Sequence, residues 1–333
     1  MGQDVSRFVT PKVYLTGYTE AYMPGIKQFL EESGNAAFLA DIAEAESQGL
    51  HGAEILCSMF AKMCYRALDP KHNVNLQRTR SIKHNIIGTL DSAHMSVFEH
   101  ASLNFVVDDC SRVFTHELVR HRVGTAFSQT SGRYCRLEQI NVVWDPVLDP
   151  VKSLWNSHLE TVEDLVYLTE CKLGLRKPSH ASAEMKLSPE ETVKCRREHP
   201  MLEWVPDDQF DFTKRKQITS AIRRIAPNGQ DNEIGVTLNI RTLRHTLLLR
   251  TARFAEWEIR KVFEQIYHIS KQRYPLLFCD AKETMVDGIV EVSGMKCQPY
   301  ELSAKAVLDQ MSDEEVLYFL KTRPGVMNGL QAV

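Results

Sequence analysis

From Glu99 to Val107 the chain reads EHASLNFVV, apolar and polar residues alternating with aromatic and β-branched side chains. That is the period of a half-buried strand. Four residues later Ser111 precedes a run of helical character, Arg112 to about His121, and a serine there is a favoured N-cap. A strand that feeds directly into a helix excludes an all-helical bundle and an all-β sandwich alike. The flanks agree. VYLTGYT near the start predicts another strand, and helical pattern follows to about residue 68, where Ile55, Met59, Met63 and Ala67 recur at helical spacing and form an expected core face. RTRSIKHNIIGTLDSAH predicts a helix ending near Ser92.

Further along, prolines 146, 150, 178, 189, 200 and 206 interrupt helical stretches such as SLWNSHLETVEDLVYLTECKLG, so residues 140–215 predict helices joined by loops. KRKQITSAIRRIAPNG predicts a basic helix stopped by Pro227-Asn228-Gly229, and the longest helix is expected from Leu243 to Arg273. MSDEEVLYFLKTRPG predicts a small helix near the end. The expected organisation is one catalytic domain over residues 1–285, with an irregular insertion at about 140–215, and an extension over 286–333.

Composition narrows the class. Hydrophobic residues at 43% and charged residues at 25% suit a globular domain, and a formal net charge of −3 speaks against a nucleic-acid coat. No uninterrupted apolar run is long enough to span a bilayer, and the first residues lack a signal-peptide core. The eight cysteines form no CxxC pair, which predicts reduced thiols and a cytoplasmic protein. The expected partners therefore include neither membrane nor nucleic acid.

The chemistry concentrates in THELVRHR, residues 115–122, and its continuation VGTAFSQTSGRY. The run nearly spells a zinc-protease helix. However, His116 and His121 are five residues apart, which places them roughly 140° around a helix, where they cannot share one tetrahedral ion. No metal site is expected. Instead Arg120, His121 and Arg122 end the helix, and Gly124, Thr125, Ser128, Gln129, Thr130, Ser131 and Gly132 predict a loop rich in amides and hydroxyls that closes on Arg133. Guanidinium forks and small residues suit phosphate. The cations also suit a helix C-terminus without any ligand, and composition alone does not name a nucleotide.

Three blocks in order carry a resemblance. SAHMSVFEHAS (92–102), VFTHELVRHRVGTAFSQTSGRYCRL (113–137) and RRIAPNGQDNEIGVTLNIRTLRHTLLLRTARFAEWEIR (223–260) resemble the motifs of the flavin-dependent thymidylate synthases, the ThyX family, and the likeness spans most of residues 60–280. The spacing from RHR to Ser131 is one residue longer than in the commonest form of the signature. Phe254 stands where many members have histidine, and His245 where some have asparagine.

The resemblance implies an α+β, ThyX-like fold, helix-rich with a central mostly antiparallel sheet and long helices packing at subunit interfaces. It implies conversion of dUMP to dTMP, with methylenetetrahydrofolate as one-carbon donor, FAD as the hydride carrier and NADPH as its source. The enzyme would be a homotetramer with active sites between subunits. By the same resemblance Glu117, Arg120, Gln129, Thr130, Ser131, Gly132, Arg133, Arg223 and Arg250 would bind dUMP. Arg250 would be catalytic, stabilising charge on the pyrimidine. Arg224 competes with Arg223 for its role. Ser96, Arg120, His121, Arg122, Gln129, Asn239, Ile240, Arg241 and His245 would bind FAD, and His94 the folate. The residues themselves leave plainer alternatives: an ion pair for Glu117 with Arg120 or His121, a cap for His94, and a salt bridge for Arg250 with Glu256 or Glu258. A related enzyme making a hydroxymethylated pyrimidine nucleotide, or a non-catalytic nucleotide- or flavin-binding homologue, also fits the sequence.

Overall fold

Two short polar side chains turn strand into helix, and the placement of the site follows from them. Ser111 ends one strand and caps the next helix, its hydroxyl accepting from the Phe114 amide at 3.0 Å. Asn239 does the same at a second junction, its Oδ1 accepting from the Thr242 amide at 2.8 Å. In each case the side chain satisfies an amide that the first helical turn leaves without a carbonyl.

The computed structural model describes residues 7–50, 52–74, 79–135, 137, 139–178, 202–204, 211–297 and 312. In chain order the strands are β1 (Phe8–Val9), β2 (Lys12–Tyr18), β3 (Ser102–Ser111), β4 (Thr125–Gln129), β5 (Val142–Val143), β6 (Arg176–Pro178), β7 (Leu202–Trp204), β8 (Asp231–Asn239), β9 (Lys282–Val286) and β10 (Ile289–Ser293). The helices are α1 (Met23–Glu32), α2 (Phe38–Ser47), α3 (Gly52–Cys64), α4 (Ile82–Asp91), α5 (Arg112–Leu118), α6 (Lys152–Lys172), α7 (Phe212–Ile222), α8 (Ile240–Arg250) and α9 (Trp257–Arg273). The fold is α+β, as expected, with a mostly antiparallel sheet. The chain divides into two units, one drawn from Met1–Tyr18, Ser102–Ser270 and Glu283–Glu291, the other from Thr19–Ala101, Lys271–Lys282 and Val292–Val333.

The first unit is built on a four-stranded sheet in the order β2-β3-β8-β4, every pair antiparallel. Leu103, Phe105 and Val107 of β3 and Ile234, Val236 and Leu238 of β8 are buried, and their neighbours face the other way, the two-residue period of a strand. Ser102 pairs with Asn239 and Ser111 with Asp231, so the two strand-to-helix junctions lie at opposite ends of the β3–β8 ladder. β4 pairs with β8 from Thr125↔Leu238 to Gln129↔Ile234. Its start therefore lies beside the Asn239 junction, and its end points back toward the Ser111 junction. α6 packs Leu159 and Val162 against Ile140 and Val142 in a smaller core.

In the second unit α1–α4 bury Leu30, Phe38, Ile42, Ile55, Met59 and Ile86. Lys62 is buried among them and is satisfied by Asp41 at 2.7 Å and by the Phe38 ring, a pairing that offsets the cost of an interior cation. α4 stops near Ser92, as predicted. Ala93 takes a left-handed turn (φ 51°), and the amides of Ala93 and His94 close on the carbonyls of Leu90 and Thr89.

Several expectations are corrected. The helix predicted from Leu243 to Arg273 is two helices, α8 and α9, separated at Thr251–Glu256. Thr251 turns its hydroxyl onto the Leu247 carbonyl, and Arg253 is drawn away to Glu291 at 2.9 Å. Residues 125–129 are not loop: TAFSQ is an edge strand whose short alternation is hard to see among hydroxyl residues. Glu99 and His100 belong to a 3-10 turn over Met95–His100, so β3 starts later than predicted. α3 ends at Cys64, which leaves Ala67 outside the helix and Met63 39% exposed, away from the core face assigned to it. The small helix predicted in MSDEEVLYFLKTRPG lies outside the described residues.

Candidate active site

The site is assembled on α5. At its start the Ser111 amide donates to Glu258 Oε1 at 2.7 Å, and the Ser111 hydroxyl donates to Glu258 Oε2 while capping the helix. Glu258, at the head of α9, is buried, and burial raises its carboxyl to about 7 against the two Ser111 donors that favour its charge. One end of the signature helix is thus tied to a second helix.

At the other end the backbone turns through Arg120–Gly124. Gly124 has φ 69°, and a β-carbon there would meet Asn239 Nδ2 at 2.2 Å and Thr242 Oγ1 at 2.6 Å. Only glycine lets this turn press against the first residues of α8. Three hydrogen bonds hold it: Asn239 N to Gly124 O at 2.9 Å, Thr242 Oγ1 to Val123 O at 2.7 Å, and Thr125 Oγ1 to His121 O at 2.6 Å.

The turn presents His121 to the last residue of α8. Arg250 Nε donates to His121 Nε2 at 2.8 Å, and Arg250 Nη1 donates to Glu117 Oε2 at 3.0 Å. Glu117 Oε1 also takes Arg120 at 3.4 Å. Burial, then the charges of Arg250 and His245, push His121 down to about 4. The ring is therefore neutral near pH 7, with Nε2 accepting and its proton on Nδ1. Arg250 is half-buried, and among the described residues its Nη2 has no hydrogen-bond partner. The alternative partners Glu256 and Glu258 do not reach it: Glu256 accepts from the Ile259 amide, and Glu258 holds Ser111.

Another face of α5, about 100° round from Glu117, borders a cleft of about 610 Å³. Thr130, Gly132 and Arg223 line it together with Arg112 and His116 of α5. A β-carbon on Gly132 would lie 3.4 Å from Arg112 Nη2 and 3.5 Å from Arg223 Cδ, so both arginine side chains pass close to the bare backbone of Gly132. Burial and the nearby Arg223 lower the pKa of Arg112.

With this geometry in place, the comparisons with known proteins decide the family. The family model described as "Thymidylate synthase complementing protein" matches residues 47–276. The chain belongs to that family. It is similar to proteins named flavin-dependent thymidylate synthase: one from Corynebacterium diphtheriae at 27% identity, covering 74% of this chain and 85% of that protein, and one from Mycobacterium avium at 29%, covering 75% and 89%. One from Mycobacterium tuberculosis is 29% identical over 71% of this chain and 83% of its own length.

The matched range holds both strand-to-helix junctions, the arginine turn and the cleft. Within it the structure brings Glu117, Arg120, His121 and Arg250 together, and separately Thr130, Gly132 and Arg223. Gln129 turns its amide onto Thr115 Oγ1 at 2.9 Å. Ser131 organises a turn, its Oγ accepting from the Arg133 amide and its carbonyl from those of Tyr134 and Cys135. Arg122, Arg133, Arg224 and Arg241 are exposed; Ile240 is buried, so only its backbone is offered to a ligand. His94 and Ser96 belong to the other unit, His94 opening the Met95–His100 turn with its ring against Tyr65. Sequence reasoning misses Arg112 and the positioning role of Glu258. Arg112 and His116 are four apart and share a helical face, which is the signal for the first; the second joins residues far apart in the chain and leaves no local trace.

Proposed function

We propose that this family member is a flavin-dependent thymidylate synthase that converts dUMP to dTMP. In this reading methylenetetrahydrofolate donates the carbon, FAD is the flavin, NADPH supplies its hydride, and a homotetramer shares its sites between subunits. The observation that carries the proposal is Arg250. Its Nε is fixed by His121 and its Nη1 by Glu117, so the guanidinium is immobilised before any substrate arrives, with Nη2 left to donate. A donor held in this way stabilises negative charge developing on a pyrimidine ring without reorganising, and removing such a donor costs about 3–4 kcal/mol in the transition state.

The cofactor's chemistry fits the residues present. His121 offers an Nδ1–H, Arg122 and Arg241 are exposed guanidinium groups, and Asn239 and His245 stand on the adjoining helix, a donor set matched to a diphosphate and a polar ring edge. A bound flavin supplies the reducing equivalent that takes the transferred carbon to a methyl group. The protein's own part is to hold the pyrimidine edge at Arg250, its sugar and phosphate near Thr130, Ser131, Gly132, Arg133 and Arg223, and the folate near His94.

The test is a single reaction of purified protein with dUMP, methylenetetrahydrofolate and NADPH, read by mass spectrometry of the nucleotide. A product heavier than dUMP by one methylene group supports the proposal. A further oxygen indicates a hydroxymethylated product instead. A protein that retains no flavin and whose NADPH oxidation ignores dUMP refutes the proposal.

A further inference from the structure

Arg250 is the last residue of α8, and helix ends fray. Its guanidinium is gripped by His121 and Glu117, but its stem is only as fixed as the backbone that carries it. Just past Arg250 the chain turns. Thr251 closes its amide, at 3.0 Å, and its hydroxyl, at 2.7 Å, on the Leu247 carbonyl, and the Ala255 amide reaches the Ala252 carbonyl at 2.9 Å. Within that turn lies Arg253, and one carboxylate holds both its backbone and its side chain. Glu291 accepts from the Arg253 amide at 3.3 Å, from Nε at 3.2 Å and from Nη2 at 2.9 Å. The hydrogen bonds from Arg253 hold the Glu291 carboxyl below the usual carboxylate range, so it is charged at neutral pH.

Arg253 is half exposed, and so open an ion pair adds little to stability by itself. What it fixes is geometry, because Glu291 stands on an anchored element. The β9–β10 hairpin buries Ile289 and Val290 and is fastened to α9 along its length. The Val290 amide donates to Glu264 Oε1 at 2.8 Å, Arg260 Nη2 donates to the Val286 carbonyl at 2.6 Å, and Lys261 Nζ donates to the Gly288 carbonyl at 3.3 Å. Arg260 and Glu264 are four apart and share one face of α9. The hairpin, unlike α8 and α9, lies beyond the residues that the family model matches.

We infer that the β9–β10 hairpin positions the active site and that Glu291 is its positioning residue: by gripping Arg253 it keeps the end of α8 from opening and holds Arg250 against His121 and Glu117. The consequence for turnover rests on the role given to Arg250 above; the positioning itself does not.

The experiment compares full-length, flavin-loaded wild type with Glu291→Ala, Glu291→Gln and Asp287→Asn. It reads the His121 titration by NMR together with kcat and KM for dUMP. In Glu291→Ala the freed Arg250 should withdraw its charge from His121, so the ring should titrate above its present value of about 4. Misplacing a catalytic donor should lower kcat by about 10- to 100-fold, with a smaller change in KM. Glu291→Gln keeps an oxygen for the Arg253 amide and should lose less. Asp287, 80% exposed in the same hairpin and paired with Arg260 at 3.6 Å, does not touch Arg253, so Asp287→Asn should leave both readouts unchanged. An unmoved His121 in Glu291→Ala overturns the inference, whatever happens to turnover, and so does an equal shift in Asp287→Asn. If the alanine variant does not fold, the glutamine variant carries the comparison, where a smaller shift supports the inference and no shift overturns it. A shifted His121 with kcat unchanged, or in a protein that makes no thymidylate, sinks the catalytic reading of Arg250 and spares the positioning.

Discussion

Replacing Gly124 by alanine tests whether the arginine turn is held against α8 by a contact that only glycine permits. Two costs separate cleanly. The first is conformational: at φ 69° an L-residue costs about 1–2 kcal/mol. The second is steric. The new β-carbon would sit 2.2 Å from Asn239 Nδ2 and 2.6 Å from Thr242 Oγ1, so both side chains must swing away. Asn239 then leaves the α8 N-cap, worth about 1 kcal/mol, and Thr242 releases the Val123 carbonyl, worth about 1 kcal/mol more. The expected loss is about 3–4 kcal/mol. Gly174 supplies the control within the same unit, because its φ is 76° but nothing lies within 4 Å of its β-carbon position. Gly174→Ala should cost the conformational share alone. At about 2–4 °C per kcal/mol, thermal unfolding should place Gly124→Ala roughly 4–8 °C below Gly174→Ala. Flavin retention should fall only in the former. Equal melting temperatures for the two variants would refute the claim that the turn is locked by close approach.

Other outcomes follow from the same contacts. Arg250→Met leaves the burial that most depresses His121 but removes the neighbouring charge that is the next cause, so its titration followed by NMR should move part of the way up toward the ordinary histidine range; an unmoved ring would mean that the Arg250 charge has no share in the depression. Arg250→Ala should cut thymidylate formation by about 100- to 1000-fold with the circular dichroism spectrum unchanged, and near-normal turnover would remove Arg250 from the catalytic role. Glu258, raised to about 7 in the folded chain, binds its proton more tightly there than when unfolded, so its contribution falls as pH rises from about 4.5 to about 7, by at most about 3 kcal/mol. His121, depressed to about 4, acts oppositely: its share is complete above about 6.5 and is lost as pH falls toward 4, by about 1–2 kcal/mol after allowance for its partial exposure. Denaturant titrations of Glu258→Gln should therefore show stability rising between pH 4 and 6.5, a slope that the intact carboxyl masks; a flat profile in that variant would contradict the His121 assignment, and a wild-type profile as steep as the variant's would contradict that of Glu258.

What the sequence shows and what it hides divide along one line. Ser111 is legible as a cap because the interaction spans three residues, and the strand before it is legible because Leu103, Phe105 and Val107 alternate within a few positions. The turn of Arg120, His121 and Arg122 is legible as chemistry because cations and glycine crowd a short window. The break at Thr251–Glu256 is not, because no proline or glycine marks it, and the contact made within it, Arg253 to Glu291, joins residues 38 apart. β8 is obscured by Gly235 and by the charged residues at its start, although Ile234, Val236 and Leu238 alternate as a strand should.

The two strand-to-helix junctions explain why a site of this kind needs long-range order to exist at all. α5 is only seven residues long, too short to be stable alone, yet it must present His116 to the cleft and Glu117 to Arg250, faces about 100° apart. Glu258 fixes its first turn through Ser111, and Asn239 with Thr242 fixes the backbone just beyond its last. With both ends clamped, a rotation of α5 that improved one face would misplace the other. The residues that hold the helix are therefore as necessary to the arrangement as the arginines on it: any variant that frees one clamp should disturb the cleft and the Arg250 cluster together, whereas losing a single arginine disturbs one of them.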